Sequence, residues 1–299
     1  MPAYVAGVSV GALSAAFMVA GKIDLGLKTW QDIAKKSSLV YRFNLASLIR
    51  AFFWTKSVFT NSPLEKYIVR ERIGLQELIY SPIKLDIITT DFQTGECFIF
   101  SNKNPEHQQP DLLTKALLAS VAMPAVFPPI EYNGHQLFDG GVSEIAPITL
   151  AIEEECDTIF VVLTDARSSI KTEKFLNNIY SIIRRSAVII GWKAAQTDIA
   201  RSIELSNYRN AYEILKKDIL TLLEEQIVEK EKQTELKRGI QSLFDHSVFS
   251  FRQMKPFKIF VIEPDAIDSD RVFDQEIILP LLKQGYEKTK QLLREWDLI

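Results

Sequence analysis

The stretch Tyr4-Val5-Ala6-Gly7-Val8-Ser9-Val10-Gly11-Ala12-Leu13-Ser14-Ala15-Ala16-Phe17 decides how the chain is read. Tyr4-Val5-Ala6 has strand character and Ala12 to Phe17 has helix character, so Gly7-Val8-Ser9-Val10-Gly11 falls on a sharp strand-to-helix turn. A serine at such a turn, with small residues two positions to either side, is the pattern of a nucleophile elbow. The turn lifts the hydroxyl out of the sheet. It also sets Ser9 at a helix N-terminus, where the Val10 backbone N–H and the positive end of the helix dipole can stabilise an oxyanion.

Working outward, a second candidate lies at Phe138-Asp139-Gly140-Gly141, after the turn pair Asn133-Gly134 and a short strand His135–Phe138. Asp139 is the candidate base for Ser9. The spacing alone also fits an ordinary turn, because Asp and Gly are the residues that turns select.

The rest of the chain reads as α/β, a three-layer sandwich with a mainly parallel central sheet and a helical insertion. Ile83–Thr89, Cys97–Phe100, Thr158–Leu163 and Lys258–Ile262 read as strands. The last two are apolar on both faces, as central parallel strands covered by helices would be. Phe175, Leu176, Ile179, Ile182, Ile183, Ala187 and Ile190 make one helical stripe, with Arg184 and Arg185 outside it. Ile214 to Ile227 make a second stripe, which runs into the polar Glu229–Arg238. One domain over residues 1–299, with the helical insertion at about 170–252, accommodates all of this.

Composition removes several classes of function. The 299 residues are 47% hydrophobic, with 35 basic and 38 acidic residues mixed along the chain for a net charge of −3. No basic face is implied, so no nucleic-acid partner is expected. Cys97 and Cys156 match no metal spacing. They read as buried small hydrophobes in a reducing compartment, and no metal or organic cofactor is expected. Ala3 to Gly21 carries no charge, but it has no basic n-region and is broken by Gly7, Ser9, Gly11 and Ser14, so it is not read as a signal or a span.

Between the two motifs stand Thr90-Asp91-Phe92-Gln93-Thr94-Gly95-Glu96 and Ala116 to Pro129, including Ala119-Ser120-Val121-Ala122-Met123-Pro124 and Phe127-Pro128-Pro129. With Asp139-Gly140-Gly141-Val142 and a late strand ending at Glu263-Pro264, this order resembles the patatin-like phospholipase family over nearly the whole chain.

The resemblance implies a Ser–Asp dyad without histidine: Ser9 as nucleophile and Asp139 as general base. Gly7, Val10, Gly11, Gly140 and Gly141 would be motif and oxyanion support. It implies hydrolysis of acyl esters of lipids through an acyl-enzyme, no cofactor, and a cytoplasmic protein in peripheral contact with membrane. Apolar faces of the insertion, or Phe52-Phe53-Trp54, are the surfaces for that contact; core packing is the other reading of the aromatic cluster.

Three alternatives stay open. A triad in Ser–acid–His order would use His246 as base. Asp91 is a second candidate acid, and His135 is placed by strand alternation on the same side as Asp139. Met1 stands only eight residues before Ser9, so the family's glycine-rich oxyanion loop is expected to be missing; a fragment or late start of an enzyme is one reading of that, and a silent lipid-binding relative is the rival.

Overall fold

The computed structural model describes residues 1–40, 42–43, 57, 59–124, 126–164, 179–226, 230–245, 255–265 and 275–299. Phe52-Phe53-Trp54, Phe175, Leu176 and His246 lie outside the described residues. The elements follow in order: β1 (Tyr4–Val8), α1 (Val10–Val19), α2 (Ile23–Lys35), β2 (Arg42–Phe43) and β3 (Phe59–Thr60). Then come a helical turn Ser62–Leu64 entering a π-helical stretch Glu65–Ile73, α3 (Leu75–Tyr80), β4 (Lys84–Asp91), β5 (Cys97–Ser101) and α4 (Pro110–Ser120). The chain continues through β6 (Ile130–Tyr132), β7 (His135–Asp139), α5 (Ile148–Glu153) and β8 (Thr158–Val162). It ends with α6 (Ile179–Gln226), α7 (Lys230–Asp245), β9 (Lys258–Ile262) and α8 (Gln275–Glu295). This is an α/β protein.

The chain forms two compact units. One comprises Met1–Pro147, Val162–Ala195 and Ile262–Ile299, the other Ile148–Val161 and Gln196–Val261.

The first unit is organised by β4. Seven of its eight residues are buried, and its residues alternate in direction. Leu85 and Ile87 join the main core with α1, α3 and α4, while Ile88, which points the other way, is equally buried. A strand covered on both faces needs an apolar run, and Leu85, Ile87 and Ile88 supply it. Helix α1 can lie close to it because Ala12, Ala15 and Ala16 bring little side-chain bulk.

β4 also has three partners. It pairs β1 in parallel from Lys84 to Ile88, β5 antiparallel from Asp86 to Thr90, and β7 antiparallel from Thr89 to Asp91. A residue has one partner on each edge, and β5 overlaps the ranges of both other strands. β1 and β7 therefore share the opposite edge of β4, end to end, and their C-terminal ends meet between Ile88 and Thr89.

This sheet is mixed, with one parallel and three antiparallel pairings, where the sequence reading expects a mainly parallel one. The physical reason is connection length. β4–β5 and β6–β7 are joined by turns too short for a crossover, and Asn133 (φ 51°) and Gly134 (φ 84°) give the second the left-handed pair that a two-residue hairpin requires. β8 and β9, expected at the centre of the sheet, instead pair with each other in a separate two-stranded sheet. Ile159 and Val161 are buried while Phe160 and Val162 are exposed, so β8 has one covered face rather than two. The cysteines are corrected too: Cys97, at the start of β5, is exposed, and Cys156, in the turn before β8, is half-buried.

One helix, α6, covers much of both predicted helical stripes without a break, its residues up to Ala195 belonging to the first unit and those from Gln196 to the second. Within it, Ser206 and Asn210 donate to the Phe257 carbonyl at the approach to β9. Among the described residues no helix is long and apolar enough to cross a membrane, and Ala3 to Gly21 is divided between β1 and α1.

The start of β4 is fixed by one side chain. Fully buried Asn102 accepts the Leu85 N–H through Oδ1 at 2.8 Å and donates through Nδ2 to the carbonyls of Leu78 (2.9 Å) and Ile83 (3.0 Å). Asn102→Ala leaves three buried main-chain groups unpaired, and urea unfolding should show a loss of at least ~3 kcal/mol.

Candidate active site

The junction on the edge of β4 forces the local structure of Ser9. With β7 occupying the edge from Thr89 onward, β1 cannot extend past Val8 in the sheet, and the chain turns out of it at once. Ser9 does so with φ 55° and ψ −130°, a backbone that costs a non-glycine residue ~1–3 kcal/mol. α1 begins directly after it, and the Ala12 N–H bonds the Ser9 carbonyl at 2.9 Å. Val10 N–H, at the first helical position, has no partner within the helix by geometry.

From the other side, β7 ends at Asp139, whose register partner is Thr89. The Ser9 hydroxyl donates to Asp139 Oδ2 at 2.6 Å across 130 residues of sequence. The other carboxylate oxygen, Oδ1, accepts the Gly141 N–H at 2.9 Å. Asp139 is 6% exposed, and burial pushes its carboxyl up from 3.8 to about 6, against the lowering by the Ser9 hydroxyl and the Gly141 N–H.

Main-chain bonds hold this carboxylate in place. The Asp139 N–H bonds the Ala122 carbonyl at 3.0 Å, and the buried Thr90 hydroxyl donates to the Asp139 carbonyl at 2.9 Å. Thr90 in turn lies 2.8 Å from the Ser143 hydroxyl. The Ser9 N–H donates to Ser120 Oγ at 3.0 Å, at the end of α4.

The glycines are not equivalent. A Cβ on Gly7 would stand 2.5 Å from Ala12 Cα, and one on Gly140 would stand 2.4 Å from the Ile88 carbonyl oxygen. Both allow the close approach that the elbow and the strand junction demand. A Cβ on Gly141 would sit 3.2 Å from Asp139 Oδ1, tight against the bond that residue makes. Gly11 is different: a Cβ there meets nothing within 4 Å.

The alternative residues have other occupations. Asp91 accepts the Gln93 N–H (2.9 Å) and the Thr94 hydroxyl (3.1 Å) in the β4–β5 turn, and lies 2.7 Å from His135 Nδ1. Burial raises its carboxyl, but those hydrogen bonds and His135 together lower it on balance. His135 thus faces Asp91 rather than Asp139.

The structure brings Ser9 and Asp139 together, with Gly7, Gly140 and Gly141 around them. Sequence reasoning did not single out Thr90, Ser120, Ala122 or Ser143. Ser120 carried a signal, since it is a hydroxyl within the otherwise apolar buried run 116–122, whereas Thr90 stands between Thr89 and Asp91 and carried none.

The profile of the patatin-like phospholipases matches residues 1–152, just over half of the chain, and the chain belongs to that family. Every residue of the site lies within the matched part. The uncharacterized protein R571 of Acanthamoeba polyphaga mimivirus is 24% identical over 195 residues, which are 60% of this chain and 62% of that protein. The match thus spans less than two thirds of that relative's length.

Two outcomes follow for stability. Gly140→Ala should lower the urea midpoint by an amount equivalent to ~2–4 kcal/mol, because its neighbour is backbone, whereas Gly11→Ala should be neutral or stabilising by up to ~1 kcal/mol. For Asp139 the sign is that of a raised acid. Below pH 4 it is protonated both folded and unfolded. Between about 4 and 6 only the folded state keeps the proton, so stability falls as pH rises, by up to ~3 kcal/mol once above the folded value. Asp139→Asn should remove that slope, and pH-dependent urea unfolding of both proteins measures it.

Proposed function

We propose that the chain is a serine acyl hydrolase of lipid esters, with Ser9 as nucleophile and Asp139 as general base. The observation that carries this reading is the 2.6 Å bond from the Ser9 hydroxyl to a buried carboxylate whose pKa stands at about 6. At neutral pH such a group is ionised and yet desolvated, and both properties are needed to accept a hydroxyl proton without an intervening imidazole.

In the proposed reaction Ser9 Oγ attacks the ester carbonyl carbon while its proton passes to Asp139 Oδ2. The tetrahedral oxyanion is met by the Val10 N–H and the start of α1. Collapse breaks the bond to the alcohol oxygen, which leaves with the proton from Asp139, and the acyl group stays on Ser9. Water then gives a proton to Asp139 and attacks the acyl carbon. The second collapse returns that proton to Ser9 and frees the carboxylic acid. These steps use side chains, one main-chain amide and water.

A lipid substrate is supported by the family and by what surrounds the pair. Val10, Phe92, Met123 and Val142 are each about half exposed. They follow directly on Ser9, the end of β4, Ala122 and the Asp139 turn. Phe92 is braced against Phe138 with ring centroids 4.2 Å apart. Exposed apolar residues this near in sequence to the pair and to the segments that hold it suit an acyl chain, and with it peripheral contact with a membrane surface.

Labelling by a fluorophosphonate, read by intact mass, tests the reading. The wild-type chain should gain one adduct, Ser9→Ala none, and Asp139→Asn should label at least ~100-fold more slowly. The labelling rate should rise with pH through a single ionisation near 6 and level off above it, because only the ionised base accepts the proton. A folded wild-type chain that gains no adduct would instead be a silent lipid-binding protein.

A further inference from the structure

Ser120 ends helix α4 and is fully buried, yet the reaction described above gives it no part. Its hydroxyl oxygen accepts the main-chain N–H of Ser9 at 3.0 Å, linking positions 111 residues apart. Two residues on, the Ala122 carbonyl accepts the main-chain N–H of Asp139 at 3.0 Å. One tripeptide, Ser120-Val121-Ala122, thus holds the backbone of both members of the pair. The two bonds are made beside the junction where β1 and β7 leave no further room on the edge of β4. Ser9 is there with a positive φ that a serine side chain does not itself favour, so an external acceptor for its N–H helps to hold that conformation.

We propose that Ser120 is a positioning residue: its hydroxyl, by accepting the Ser9 N–H, fixes the turn that aims Ser9 Oγ at Asp139, while Ala122 fixes Asp139 from the same segment. This rests on the reading of Ser9 as nucleophile, but the clamp itself is a statement about an amide. Ser120 touches no reacting atom. Its removal acts through the orientation of Ser9, and a displacement of about 1 Å at a reacting group is enough for a loss on the order of 100-fold.

The test uses the full chain with Ser120→Ala, Ser120→Cys and, as a control, Thr114→Val. Thr114 lies in the same helix, equally buried, and its hydroxyl bonds only the Pro110 carbonyl, at 2.8 Å. Its loss weakens α4 without touching Ser9. All four proteins are studied below their unfolding transitions, with two readouts.

The first readout is hydrogen exchange of the Ser9 amide, followed by NMR. Ser120→Ala should speed it at least ~10-fold relative to neighbouring α1 amides, Ser120→Cys less, since sulfur is a weak acceptor, and Thr114→Val not at all. The second is fluorophosphonate labelling at saturating reagent. Ser120→Ala should lower the maximal rate by about 10- to 100-fold, Ser120→Cys should recover part of it, and Thr114→Val should keep the wild-type rate.

An unchanged Ser9 amide in Ser120→Ala overturns the clamp. So does a wild-type labelling rate in that variant, or an equal loss of rate in Thr114→Val. If the wild-type chain itself takes no label, the hydrolase reading fails, while the amide exchange still decides whether Ser120 holds Ser9.

Discussion

One edge of β4 has to serve two strands, and the candidate site is the result. β1 arrives along Lys84–Ile88 and β7 along Thr89–Asp91, from opposite directions, so both run out of partner at the same place. Neither can continue without colliding with the other. β1 therefore turns sharply just past its last residue, at Ser9, and β7 turns at its own last residue, Asp139. Their contact is enforced by the sheet before any attraction between hydroxyl and carboxylate is counted. The two glycines that a methyl group would spoil, Gly7 and Gly140, border the same crowded point.

Folding to this arrangement runs against local preference in two ways. Ser9 takes a backbone conformation that an L-residue avoids, and Asp139 keeps a carboxylate away from water. What offsets them is a shell of hydrogen bonds, from the Thr90 hydroxyl of β4 and the end of α4, both deep in the core, and from the half-buried Gly141 amide. A buried carboxylate with only two hydrogen-bond donors is held, yet not satisfied as fully as water would satisfy it. That shortfall is why its proton affinity rises instead of falling.

How much of this could be read in the sequence depended on range. The elbow was legible because strand, Gly-x-Ser-x-Gly and helix are contiguous, and Asp139 because it sits in a run that resembles a family. Four strands were legible within a residue or two of their observed ends from β-branched and aromatic runs. The direction of the sheet was not, although Asn133-Gly134 already implied an antiparallel hairpin. Apolarity on both faces of Thr158–Leu163 outweighed it and suggested a central parallel strand, whereas one of those faces is exposed. Gly11 and Gly7 look alike in a motif and differ only in what stands opposite each of them in three dimensions. Ser120 and Thr90 act across 111 and 49 residues, and no periodicity registers such a bond.

The separation of Ser9 from Asp139 also has a meaning in time. A ribosome adding ~5–20 residues per second makes the serine roughly 10 s before it reaches the aspartate 130 positions later. Until the hairpin that ends at Asp139 has docked on the last residues of β4, the serine lacks its carboxylate partner. On the proposed reading the nascent chain is thus chemically mute during synthesis, and the Ser9 hydroxyl becomes a reagent only when the sheet has closed around it.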